Sequence, residues 1–258
     1  MRISVAMAYY NGARYIDEQL TSVLSQIGEE DEVVISVDAA EDDGGAKLKQ
    51  WAAKDGRIRL IPGPGKGVVR NFENAFIHCR GEFIFVSDQD DVWRSDKTAA
   101  VLKEFQTKKV GAVLHDAQII DGKGRPAGEK TLFALRGSRP GIWKNFWRNS
   151  YVGCCMAFRR ELLPVILPIP EPMYMHDYWI GTAAELSGGV ALIREPLIGY
   201  RRHGENVTEM SHGSLAFMVR KRLDILRCLC ILKKRMRDKT RSFRGRAEGT
   251  GGKEGRRR

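Results

Sequence analysis

Apolar positions in the first half of the chain follow two alternating periods. Arg2–Ala8 is an apolar-rich run of strand length that gives way to polar Asn11-Gly12. From Ala13 the apolar residues Ile16, Leu20, Val23, Leu24 and Ile27 fall on one helical face. Glu32–Val37 is a β-branched run that stops at Asp38. Ala46–Ala53 predicts a helix, and Ile58–Ile61 a short strand. Pro62-Gly63-Pro64-Gly65-Lys66-Gly67 must be a loop, since proline and glycine defeat both regular periods. Helical spacing returns over Val68–Cys79 through Val69, Phe72, Phe76 and Ile77. Glu82–Val86 then predicts a buried strand, Ser95 or Asp96 the cap of a helix through Phe105, and Val110–Leu114 another strand.

Strands that alternate with helices imply βαβ units, and hence an α/β fold with a mostly parallel sheet flanked by helices. Ligands of such sheets bind beyond the carboxyl ends of the strands. The residues there are Tyr9-Tyr10-Asn11-Gly12, Asp38 and Asp88/Asp90/Asp91, from three strands that should meet on one edge. Neither a dinucleotide-type glycine fingerprint nor a P-loop follows the first strand. The second half is less regular. Trp143, Phe146 and Trp147 predict a short amphipathic helix, Tyr151–Phe158 a buried strand, and Pro164–Pro172 a proline-punctuated loop. Met175-His176-Asp177-Tyr178-Trp179 opens a helix to about Leu186, and Val190–Ile193 and Pro196–Tyr200 predict two strands around a turn.

The run Phe83–Val86 ends abruptly at Ser87-Asp88-Gln89-Asp90-Asp91. Three carboxylates in four residues repel one another unless a positive charge sits on them. Hard cations such as Mg²⁺ or Mn²⁺ take oxygen ligands and are commonly bridged to phosphates by one or two carboxylates. A solvated acidic turn is the plainer alternative. It loses weight because neighbouring strands also end in acidic or polar residues.

The formal net charge of +11 over 258 residues is unevenly placed. Positions 219–258 hold 16 Lys/Arg against 4 Asp/Glu, which leaves the rest of the chain close to neutral. A nucleic-acid role for the folded domain is therefore not expected. Phe217–Met236 interleaves apolar and basic residues, a pattern that suits either an anionic membrane surface or a helix packed on the domain. Beyond Ser242 the Gly/Arg/Lys composition predicts disorder. This divides the chain into 1–210, a basic amphipathic helical segment 211–241, and a basic tail 242–258. No apolar run is long enough to span a bilayer, and the first residues read as a strand, so a cytoplasmic location is expected, with possible peripheral attachment to the inner membrane face. Cys154 and Cys155 lie in an apolar run and read as core residues.

Five segments, in order, resemble family 2 glycosyltransferases of the GT-A fold, nearest the rhamnosyltransferase-like branch. They are Ser4–Gly12, Gly67-Val68-Val69-Arg70-Asn71-Phe72, Ser87–Trp93, His176–Trp179 and Tyr200-Arg201-Arg202-His203-Gly204-Glu205-Asn206. The resemblance implies a GT-A-type, Rossmann-like sheet. It also implies transfer of one sugar, with inversion, from a UDP- or dTDP-type donor to a cell-envelope glycan or lipid-linked acceptor. On the same basis Asp90 would meet a Mg²⁺ or Mn²⁺ ion, Asp88 the ribose or the metal, and Asp177 would be the base. Donor contacts would come from Ala8, Tyr10, Asn11, Asp38, Lys66, Asn71, Asp88 and Gln89. His203 is either a phosphate or metal contact or a structural residue. One departure stands out: Val37-Asp38-Ala39-Ala40 occupies the place where relatives show two Asp followed by Gly-Ser, which bears on base recognition. The Q-x-x-R-W motif of polymer-forming members is missing, which favours single-sugar transfer. Two other classes compete: a nucleotidyltransferase, which should carry a basic glycine-rich loop after the first strand, and a non-catalytic nucleotide-sugar or nucleic-acid binder.

Overall fold

A computed structural model describes residues 1–38, 42–203 and 215–250, the side chains of 215–218 and 240–250 excepted. Strands β1 (Ile3–Tyr9), β2 (Glu32–Val37), β3 (Ile58–Pro62) and β4 (Phe83–Ser87) alternate with helices α1 (Ile16–Leu24), α2 (Gly44–Lys54) and α3 (Val68–His78). They pair in parallel in the order β3-β2-β1-β4. Every residue of β4, and all but the last of β2, is buried. That continuous burial is what a parallel strand covered on both faces requires.

The sheet then changes character. β4 pairs antiparallel with β7 (Met156–Arg159), and β7 antiparallel with β6 (Ala112–Ile120). β6 runs parallel to β8 (Val190–Arg201), whose far end pairs with the two-residue β5 (Val92–Trp93). Between β5 and β7 lie α4 (Lys97–Thr107), α5 (Leu132–Arg136) and α6 (Ile142–Trp147). After β7 come α7 (Leu163–Ile166) and α8 (His176–Leu186), and the long α9 (Leu215–Thr250) closes the order.

Several expectations are corrected by the fold. The segments Val190–Ile193 and Pro196–Tyr200 join into one strand. Arg194 and Glu195 are absorbed at an irregularity where His115 faces Ile193 and the next residue, Asp116, faces Pro196. Proline, lacking an N–H, is tolerated at such a break in the ladder. β6 continues six residues past Leu114. Most of Tyr151–Phe158 is not strand, since residues Gly153–Cys155 form a tight helical turn. Part of the expected proline loop is the short helix α7, with Pro164 in its first turn, where a missing N–H costs nothing.

The basic C-terminal segment is docked. Ile225, Cys228, Leu229 and Leu232 of α9 are buried in the main core. Their spacing is that of one helical face. Arg222 donates to the carbonyls of Phe146 and Trp147 at the end of α6. Arg235 donates to Val165 and Pro168 carbonyls at 3.1 and 2.8 Å, and Lys239 to Glu161 at 2.6 Å. Cations at the carboxyl ends of short helices satisfy orphan carbonyls and complement the dipole. Where disorder is expected from 242, the helix continues to Thr250, because adding a residue to an existing helix needs no new nucleation. Residues 251–258 lie outside the described residues. No described helix is long and apolar enough to cross a membrane.

Candidate functional site

Because β2, β1 and β4 are parallel neighbours, the loops that leave their carboxyl ends lie side by side. Ala8, Tyr10, Asn11, Asp38, Asn71, Asp88, Gln89, Asp90, Asp177 and His203 all line one cleft of about 1820 Å³. Sequence-predicted residues from six separate segments thus converge. Lys66 is the exception: it is exposed, and only its neighbours Gly65 and Gly67 line the cleft.

At one end, Asp38 is buried and organises the glycine-proline loop. Its Oδ1 accepts from the Gly65 N–H at 2.8 Å, and the Gly63 N–H donates to the Val37 carbonyl at 2.8 Å. A Cβ on Gly63 would sit 2.2 Å from that carboxylate oxygen, so only glycine passes there. Gln89 pins the turn after β4 to the end of β1. Its Oε1 accepts from Tyr10 N–H at 2.8 Å and its Nε2 donates to Tyr10 O at 2.7 Å. The Tyr10 ring is 54% exposed on the cleft wall, the presentation a stacking surface needs. Asn71 is buried, its Nδ2 donates to Tyr9 O at 3.2 Å, and its Oδ1 has no partner among the described residues. Residues Ala39 and Ala40, where the sequence departs from its relatives, lie outside the described residues.

The acidic turn forms the middle of the cleft. Ligand atoms of Asp88, Asp91 and Cys154 lie within 4.8 Å of one another. Burial and mutual repulsion hold the Asp88 and Asp91 carboxyls well above the usual range. Asp91 Oδ1 accepts from the Arg201 N–H at 3.0 Å, while its buried Oδ2 has no partner among the described residues. Asp90 Oδ2 is 2.8 Å from His203 Nε2. Carboxyls crowded this way fit a hard divalent cation, which would relieve both the repulsion and the orphaned oxygen. Mg²⁺ and Mn²⁺ suit these donors equally.

Two buried cations support the turn, and sequence reasoning missed both roles. Arg201, 1% exposed, lies under the turn. Its Nε donates to Asp90 O at 2.7 Å, its Nη2 to Glu18 at 2.6 Å, and its guanidinium stacks 4.7 Å from the Tyr15 ring centre. Lys97 is fully buried, with Nζ 3.1 Å from Cys154 O and 3.7 Å from the Trp93 ring centre. Burial lowers its pKa to about 8. Its signal was available: Lys97, Val101 and Phe105 recur every fourth residue on the buried face of α4.

Asp177 stands in the first turn of α8 at the other end. Its Oδ1 accepts from the Tyr178 N–H at 2.6 Å and from Asn149 Nδ2 at 3.5 Å. Burial raises its pKa to about 6, the range of a general base working near neutrality. The helix-terminal contact and an accessible carboxylate therefore coexist. His176 also lines the cleft: its ring packs 4.2 Å from the Phe72 ring centre, and burial lowers its pKa to about 4. Arg136, Asn149, Tyr174 and Lys221 complete this end and belong to no motif legible in the sequence.

Comparison with known proteins agrees with this geometry. The Glycosyl transferase family 2 profile matches residues 4–167. An uncharacterized glycosyltransferase of Nostoc sp. is 29% identical over 80% of this chain and 66% of its own length. The putative teichuronic acid biosynthesis glycosyltransferase TuaG of Bacillus subtilis is 32% identical over 59% of each chain. Among solved structures, S. aureus TarS in complex with UDP-GlcNAc superposes with TM-score 0.63 at 16% identity, over 83% of this chain and 62% of that one. The mannosyltransferase PcManGT from Pyrobaculum calidifontis, in complex with GDP-Man and Mn²⁺, gives 0.57 at 23% identity, over 85% and 60%. This chain thus spans less than two thirds of the length of the solved structures it matches. A parallel sheet whose strand ends gather an acidic turn, an asparagine and a separate carboxylate, matched by the profile over most of its length, makes the chain a member of glycosyl transferase family 2.

Proposed function

We propose that this protein transfers one sugar, with inversion, from a nucleotide-diphosphate donor to a glycan or lipid-linked acceptor in the cell envelope. The observation that carries the reading is that Asp177 lines the same cleft as Asp88 and Asp90 of the acidic turn. Tyr10, Asn11 and Asp38 form the end where a nucleotide would lie, and Asp88, Asp90 and His203 the part where its diphosphate would lie. Asp88, Asp90 and Asp91 would hold a divalent cation, which supplies Lewis-acid stabilisation of charge on the departing diphosphate.

The chain's own residues do the rest. Asp177, ionised near neutral pH, takes the proton of the acceptor hydroxyl as that oxygen attacks the anomeric carbon from the side opposite the diphosphate. The carboxylate becomes a carboxylic acid, the glycosidic bond forms, and the bond to the diphosphate breaks. Asn149 and the Tyr178 N–H hold the carboxylate in place. The donor relatives bind, UDP-GlcNAc in TarS and GDP-Man in PcManGT, supports a hexose donor without choosing the base. A UDP- or dTDP-sugar as donor, and a cytoplasmic enzyme peripheral to the membrane, complete the proposal.

Donor hydrolysis with and without Mn²⁺ or Mg²⁺, across UDP-, dTDP- and GDP-sugars, tests this. Cation-dependent release of nucleoside diphosphate from one donor class is expected. Formation of nucleoside triphosphate and sugar 1-phosphate when pyrophosphate is added to the same donors would instead establish a nucleotidyltransferase, and binding without turnover in the presence of any sugar acceptor would establish a non-catalytic binder.

A further inference from the structure

Helix α6 turns Phe146 into the core and leaves Trp143 and Trp147 68% and 70% exposed. On α9, Val219, Leu223, Leu226 and Cys230 are exposed as well, the first three at 52%, 50% and 40%. Their spacing of four, three and four residues places them on one stripe. That stripe is opposite the face formed by Ile225, Cys228, Leu229 and Leu232, which is buried in the domain. α9 is therefore apolar on two sides, and among the described residues only one of them packs on the domain.

Arg222 joins the two elements. It is bonded to the carbonyls of Phe146 and Trp147, and its guanidinium lies 5.9 Å from the Trp147 ring centre. Trp147 thus lies beside α9, with Trp143 one turn earlier on the same face of α6. Exposed Arg220, Arg227, Lys233, Lys234 and Arg237 border it or extend it. Residues 219–239 hold nine Lys/Arg against two Asp, and three of those cations, Arg222, Arg235 and Lys239, are bonded to carbonyls of the domain. An interface with a second protein is depleted of charge at its centre and ringed by mixed polar groups. Exposed tryptophans beside an aliphatic stripe, rimmed by one sign of charge, instead match the requirements of a bilayer interface.

The domain-facing side of the same helix reaches the cleft. Lys221, the neighbour of Arg222, lines it, with Nζ 4.3 Å from the ring centre of Tyr174, another lining residue beside Asp177. We propose that α6 and α9 together form a docking face for an anionic lipid bilayer, from which a lipid-carried acceptor reaches the Asp177 end of the cleft. The docking face stands on its own observations; its link to the acceptor rests on the glycosyl-transfer reading above.

Cys230 lies within the stripe and is exposed, while Cys79, Cys154, Cys155 and Cys228 are buried, so the full chain can be labelled there with an environment-sensitive fluorophore. Vesicles of phosphatidylglycerol and phosphatidylcholine should shift the emission to the blue and sediment the protein. Pure phosphatidylcholine should do so far less, and added salt should reverse the binding. The double variant Trp143→Ser/Trp147→Ser, whose side chains support no core, should partition about tenfold less or weaker still. Leu223→Glu should behave likewise. Both should keep wild-type nucleotide affinity and melting temperature.

No blue shift on anionic vesicles, or wild-type partitioning of both variants, would overturn the proposal. So would a dimer in sedimentation velocity that the tryptophan double variant dissolves, since a second copy would then be the occupant. Failure of donor hydrolysis with vesicle binding intact would count against glycosyl transfer alone. Vesicle failure with hydrolysis intact would count against the docking face alone.

Discussion

Replacing Asp177 with asparagine should move activity and stability in opposite directions. The carboxyl titrates at about 6, against an ordinary value of 3.8. Between those values the folded protein binds a proton that the unfolded chain has released, so stability falls as pH rises through this window and stays lower above it. The difference of 6 − 3.8 corresponds to about 3 kcal/mol at pH 7. That is a ceiling for the gain in the variant, because an amide oxygen accepts the Tyr178 N–H less strongly than a carboxylate. A gain of about 1–2 kcal/mol, or a few degrees in melting temperature at pH 7, is expected, shrinking towards zero near pH 4. Transfer should meanwhile fall roughly 10²-fold or more, the scale of a missing general base. In the wild type, log kcat/KM against pH should bend near 6 and lose about tenfold per unit below it. Thermal melts across pH 4–8 and initial rates on the same samples provide both readouts. A flat acid limb, or a variant that is less stable and within a few-fold of wild-type activity, would reassign Asp177 to the helix terminus alone.

Asp90→Asn should abolish metal-dependent nucleotide affinity in calorimetry while leaving metal-free stability equal or higher, since one of three crowded carboxylates is neutralised. Unchanged metal-dependent affinity would refute the assignment. Arg201→Lys should lose the bonds to Asp90 O and Glu18, at roughly 1.5–3 kcal/mol each, and lower the denaturation midpoint accordingly. A chain ended at residue 210 forfeits the burial of Ile225, Cys228, Leu229 and Leu232. At about 1.5–3 kcal/mol per large apolar side chain, that approaches the whole stability of an ordinary domain. The shortened protein should therefore be insoluble or molten by near-UV circular dichroism, and a cooperative melt would show that α9 is dispensable.

Local periodicity carried the first half of the fold because β1, β2 and β4 are buried on both faces and each helix on one. It faltered where long-range pairing decides. Nothing local tells that β8 is one strand, because the irregularity opposite His115 and Asp116 is set by its partner β6. The strand ends were legible as a candidate site, since carboxylates crowded after an apolar run repel one another and call for a counter-charge. The supports were not. Arg201 sits beside His203 in the motif, yet its guanidinium enters the protein under the acidic turn. Lys221 joins the cleft only because a helix far along the chain packs against α7 and reaches Tyr174. The excess charge of the C-terminal segment was equally deceptive. Arg222, Arg235 and Lys239 spend their donors on carbonyls of the domain, so counted charge exceeds displayed charge.

The Gln89 contact gives the acidic motif a grammar of its own. The residue between the two aspartates would pass for a spacer, yet its amide forms a complete rung with the main chain of Tyr10. A Cβ on Gly12 would come within 2.4 Å of that amide, so the glycine is the vacancy into which the glutamine fits. Gly12 and Gln89 are therefore a lock-and-notch pair contributed by two distant stretches of chain. Over evolutionary time a larger side chain at residue 12 should appear only where residue 89 no longer fills that space, and an engineer who enlarges residue 12 should rewrite the middle letter of the motif in the same step.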